Sequence, residues 1–208
     1  MSIFRALRQA LFNFSMEFAE QSLENKTFQK LVCLKRDLSQ KEFCACRFQK
    51  CDFSASAFFG ASFVDCVLEN CNLSNIKVNG CSFQNVTFSS CKITGVVFTI
   101  INALLTSWSF ENCKIELCDF NRLKIRRSKF IDCAIRESNF IGSDLAESDF
   151  RGSDLRASKF LNTILERANF VGARNYFIDP TQNKLKQAKF SCPEALSLIE
   201  TFGVKIEY

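Results

Sequence analysis

Twelve cysteines and no histidine set the chemistry open to this chain. A cysteine can act as nucleophile, metal ligand or redox couple, but each role needs a partner at a fixed spacing. A Cys-His pair and a Ser-His-Asp triad are excluded, because the base is missing. No Cys-x-x-Cys pair occurs, and Cys44-Ala45-Cys46 is the one close pair. Nine cysteines instead fall at intervals that are multiples of five: Cys46, Cys51, Cys66, Cys71, Cys81 and Cys91, then Cys113, Cys118 and Cys133 in a new phase. Such regularity marks a structural slot. Glycine-rich phosphate loops and paired carboxylates in an evident cleft are also lacking. The expectation is buried, reduced thiols, with no catalytic residue, no metal and no cofactor, and abundant free thiols point to the cytoplasm.

The element that positions these thiols repeats every five residues. From Phe18 a large apolar residue returns at Leu23, Phe28, Cys33, Leu38, Phe43, Phe48, Phe53, Phe58 and Phe63, and onward to Phe98. A second run begins at Phe110 and passes Ile115, Phe120, Ile125, Phe130, Ile135, Phe140, Leu145, Phe150, Leu155, Phe160 and Leu165 to Phe170. Neither a helix nor a flat strand has a period of five. Two residues before most of the large positions in the second run stands a small one, such as Cys113, Cys133, Ser143, Ser153 or Thr163. Positions two apart share one side of an extended backbone. A short extended face followed by a bend, repeated, winds the chain into a solenoid.

On these residues, most plainly SDLAESDFRGSDLRASKF at 143–160, the chain resembles the pentapeptide-repeat family. The resemblance implies an all-β solenoid: a right-handed quadrilateral β-helix with four five-residue faces per coil. Eight such coils at strand spacing would make a rod of about 40 Å. Three regions follow: an N-terminal capping helix over 1–17, the β-helix over 18–174 interrupted at 99–109, and a C-terminal cap or dimerisation segment over 175–208. Cys51, Cys71 and Cys91 should stack on successive coils.

The breaks in the period are the candidate functional features. Between Phe98 and Phe110 the register slips by two, across an uncharged segment holding Ile100, Ile101, Leu104, Leu105 and Trp108. An indole is too large for the small inward slot at 108, so the coil must bulge or the ring must turn away. The segment is either a kink tucked against the rod or a protruding partner-binding loop. Ile3, Leu7, Leu11, Phe14 and Phe18 have helical spacing, which suggests a helix over 2–16 covering the open end. Near the C-terminus Asn175 and Pro180 occupy large apolar positions, so the coil should stop near 174, although Leu185 and Phe190 return to phase. Ser191 and Glu194 read as a capping box, Leu196, Ile199 and Phe202 as a helical stripe, and Val204, Ile206 and Tyr208 as a strand. This segment serves either as a cap or as the contact of a homodimer.

The net charge is +5, unevenly spread. Residues 114–136 are basic, whereas 137–154 carry Glu137, Asp144, Glu147, Asp149 and Asp154 against Arg151 alone. Lys124, Arg126 and Arg127 should project from the face that bears Asp144 and Glu147 one coil on, and either pair with them or form a charged track. Direct nucleic-acid binding by the basic run is the least favoured reading, and no apolar stretch is long enough for a membrane span. The FCACRFQKCDFS stretch at 43–54, the interruption before Trp108 and Phe110, and the closing helix followed by Gly203-Val204-Lys205-Ile206 are similar to the Qnr-type and mycobacterial quinolone-resistance subgroup. That resemblance implies a dimeric rod that mimics duplex DNA and binds DNA gyrase or topoisomerase IV. Mimicry calls for a strongly acidic rod, and this chain is net basic. The rival reading is a scaffold or interaction module with a different protein partner.

Overall fold

The computed structural model describes residues 17–204, apart from the side chain of Leu105. The helix expected over 2–16, and Ile206 and Tyr208 of the expected strand, lie outside the described residues.

Short parallel strands stack in register, pairing with the residues twenty further on, or twenty-two where the 99–109 loop intervenes. One face aligns Leu23, Phe43, Phe63 and Phe83. The next aligns Phe28, Phe48, Leu68, Phe88, Phe110 and Phe130. A third joins Ile93, Ile115 and Ile135, and a fourth is held by bridges such as Val97 to Asp119 and Asp119 to Asn139. The result is an all-β parallel solenoid of about eight turns. All large residues of both runs, Phe18 to Phe98 and Phe110 to Phe170, are buried. Their rings stack between turns, as at Phe120 and Phe140, 4.9 Å apart and inclined by 3°.

Corners recur every five residues and explain how the chain turns with so few glycines. Asn25, Lys30, Lys35 and Gln40 adopt φ between 53° and 58°, and later turns repeat this with lysine, alanine, arginine and glutamate. The left-handed conformation costs an ordinary residue about 1–2 kcal/mol. It is held because most corner N–H groups reach a carbonyl of the next turn, as from Asn25 to Cys44 at 2.9 Å and Lys30 to Gln49 at 2.8 Å.

The small inward position has its own logic. Its side chain donates to the carbonyl of a large residue in the preceding turn: Cys71 Sγ to Phe48 at 3.5 Å, Cys113 Sγ to Phe88 at 3.3 Å, and Ser143 and Ser153 Oγ to Phe120 and Phe130 at 2.7 Å. Cysteine and serine are therefore equivalent here, as compact donors that satisfy an inward carbonyl.

The coil does not stop near 174. Asn175 turns outward at a corner with φ of 58°, and Tyr176 and Ile178 take the inward places one and two residues out of phase. Pairing then resumes, Ile164 with Lys184 and Phe170 with Phe190. Asn175 and Pro180 thus mark a slip in phase within a turn that closes.

Candidate partner-binding surface

The two-residue slip at 99–109 is absorbed by a loop that stands off one corner. Asn102 N reaches back to Cys81 O at 2.8 Å, and Ser107 N to Phe83 O at 2.9 Å. Between these anchors Ala103–Leu105 form a single helical turn, which Asn102 caps by accepting from Leu104 N. Leu104 is 87% exposed and Ile100 44%. Ile101 faces inward.

Trp108 does not belong to the exposed patch. It opens the strand Trp108–Glu111, pairs with Val86, and is 4% exposed. The indole is nevertheless accommodated inside the rod, in the strand that follows the loop. The ring packs among core aromatics, 5.7 Å from Phe83, 5.3 Å from Phe98 and 5.3 Å from Phe110. One turn on, the corresponding slot returns to a small residue, Ser128, which is buried.

The five acids at 137–154 do not form one patch. Successive pentapeptides lie on successive faces, which separates Asp144 and Glu147 from Asp149, and Asp149 from Asp154. Four are also paired. Arg126 contacts Asp144 at 3.4 Å and Glu147 at 3.3 Å, and Arg127 contacts Glu147 at 3.0 Å, so the facing rows expected at 124–127 and 144–147 do pair. Arg151 contacts Asp149 at 2.7 Å, and Arg136 contacts Asp154 at 3.3 Å. Glu137 alone of the five has no cationic partner among the described residues. The Arg127 hydrogen bond first of all holds the Glu147 carboxyl below its ordinary range.

The C-terminal segment differs in detail from the expected stripe. Ser191 Oγ accepts from Gly172 N instead of capping a helix. A helical turn at Glu194–Leu196 leads into a short helix at Ser197–Glu200. Leu198 packs on the core, whereas Ile199, Phe202 and Val204 are exposed and Leu196 is half-buried.

The thiol ladder is longer than the three rungs expected. Cys51, Cys71, Cys91, Cys113 and Cys133 occupy one column, all free and buried. Burial raises the thiols of Cys33 and Cys66 to about 12 and that of Cys118 to about 11. Hydrogen bonding to the neighbouring thiols, with burial added, raises Cys51, Cys91 and Cys133. Among the described residues no group of three or more cysteines and carboxylates could hold a metal ion, and no helix is long and apolar enough to cross a membrane.

One feature escaped the reading of the sequence. The loop and the following turn enclose a cleft lined by Thr99, Ile101, Ala103, Leu104, Arg122, Leu123 and Lys124. The two halves are twenty residues apart, so only the length of one turn connects them.

A solenoid with large residues on four inward columns, left-handed corners every five residues and one protruding loop defines the class: a pentapeptide solenoid. The family model "Pentapeptide repeat region" matches residues 41–103 and 103–174, and the chain belongs to the pentapeptide-repeat family. Among solved structures it is similar to two trypsin-treated variants of QnrB1, a plasmid-mediated fluoroquinolone resistance protein. Both are 20% identical, with TM-scores of 0.54 and 0.56, and the matches cover 90% and 89% of this chain and 92% and 90% of theirs. It is also similar to HetL of Nostoc sp. strain PCC 7120, a pentapeptide-repeat protein involved in regulating heterocyst differentiation (13% identity, TM-score 0.51, covering 86% of this chain and 90% of that one). No curated protein sequence matches the chain.

Proposed function

We propose that this chain is a non-catalytic, right-handed cytoplasmic rod that a protein partner grips at the 99–109 loop, and that the partner is DNA gyrase or topoisomerase IV. One observation carries the reading: an uncharged loop, hydrogen-bonded to the rod at both ends, presents Leu104 at 87% exposure. A rigid support lowers the entropic cost of docking an apolar side chain. The choice of partner leans on the likeness to QnrB1, named for fluoroquinolone resistance. Phosphate mimicry is not part of the reading, because four of the five acids at 137–154 are paired with arginines and the five are divided among faces. The cap at 175–208 would join two copies through Leu196, Ile199, Phe202 and Val204, and residues 1–17 would close the other end.

The test is a gyrase supercoiling assay with and without a fluoroquinolone. Micromolar wild-type protein should shift the drug response, and Leu104→Asp should abolish the shift. No effect of the wild type removes the topoisomerases as partners. The second reading, a scaffold for another protein, is favoured by the arginine pairing of Asp144, Glu147, Asp149 and Asp154; recovery of a non-topoisomerase partner that Leu104→Asp fails to bind would support it.

A further inference from the structure

The loop overhangs the turn that follows it. Between them lies a cleft of about 460 Å³, within the range of sites that hold a small ligand or a few side chains. Its inner surface is apolar, with Ile101 and Leu123 buried and Leu104 at the lip. Its far wall carries two exposed cations, Arg122 and Lys124.

Neither cation has an acidic partner among the described residues, although their neighbours Arg126 and Arg127 are both paired. Asp119 on that turn accepts from Asn121 N at 3.0 Å, and Asp144, bridged to Lys124 on the next turn, is engaged by Arg126 at 3.4 Å. Arg122 stands on a corner, and its stem runs beneath Gly142, where an added Cβ would meet Arg122 Cγ at 3.5 Å. The pair of charges is thus set beside an apolar slot and left open to a partner.

Resting on the loop as the docking point proposed above, we infer that the cleft takes a protein segment in which an apolar side chain is flanked by carboxylates. The apolar group enters between Leu104 and Leu123, and the carboxylates meet Arg122 and Lys124. Charge complementarity of this kind selects the partner and rejects basic segments.

The full chain is titrated with a labelled peptide containing Glu-Glu-Phe-Asp-Glu, with the same peptide carrying Ser for Phe, and with one carrying Gln for every acid. The acidic aromatic peptide should bind most tightly, moving amide resonances of 99–104 and 122–124, and more weakly at high salt. The double variant Arg122→Glu, Lys124→Glu should lose at least tenfold in affinity, and Leu104→Ser a comparable amount, with melting temperatures unchanged. Equal binding of the Gln peptide, equal binding by the double variant, or no binding at millimolar peptide overturns the inference. The two proposals fail separately. Peptide binding without any effect on gyrase keeps the cleft assignment and removes the topoisomerase, whereas a double variant that still acts fully on gyrase does the reverse.

Discussion

The indole N–H of Trp108 donates to the hydroxyl of Ser128, one turn on, at 2.9 Å, and that hydroxyl donates to Ile125 O at 2.7 Å. The ring is buried among core aromatics, and Ser128 satisfies the one polar atom it brings inside. Ser128→Ala strands a buried donor and should cost about 1–3 kcal/mol. Trp108→Ala, which also opens a cavity, should cost about 3–5 kcal/mol. Chemical denaturation measures both, and Ser128→Ala with wild-type stability would show that the bond contributes nothing.

Acid should weaken the upper turns through Asp154, which is 3% exposed. Burial opposes its ionisation, but hydrogen bonds from Asn175 at 2.7 Å and Arg136 at 3.3 Å prevail and hold the carboxyl below its ordinary value. A depressed folded-state pKa stabilises above the unfolded value of about 3.9, and this stability is lost as pH falls through the folded value. Asp154→Asn should be less stable than wild type at pH 7, with the gap closing as pH drops below about 4. A gap that persists unchanged on acidification contradicts this assignment.

Thiol titration should separate the twelve cysteines into groups. Cys192 is exposed, Cys44 half-buried and the other ten buried. An aromatic disulfide reagent should react at once with Cys192, more slowly with Cys44, and with the remainder only in denaturant. Fast reaction of the Cys51 to Cys133 column in the folded protein would contradict its burial.

Corner strain should be removable. Ala55 and Ala157 adopt φ of 57° and 58°, where glycine carries no left-handed penalty but loses more chain entropy on folding. The difference leaves each Ala→Gly change stabilising by about 0.5 kcal/mol. A lower melting temperature for either variant would show that the corner alanine is unstrained.

The period of five made the solenoid legible, because every inward position of the two runs is the residue the spacing named. What it hid lies in the second period, one full turn. Asp144, Asp149 and Asp154 look like a cluster along the chain yet point from different faces, whereas Arg126 and Glu147 look distant and touch. The coil does bulge beside Trp108, as its size required, but the ring itself stays inside the rod, which the spacing could not show. Asn175 was misread because a local slip in phase has the same signature as an end. The cleft at Leu104 and Arg122 became visible only when residues one turn apart were placed side by side.

The loop leaves the wall beside Cys81 and returns beside Phe83, so its entry and exit share one neighbouring turn. The few residues between form an interchangeable fitting on a standard shaft. The shared anchor turn means that the exposed part of the fitting, at Leu104, can vary without touching the pairing of the turns on either side.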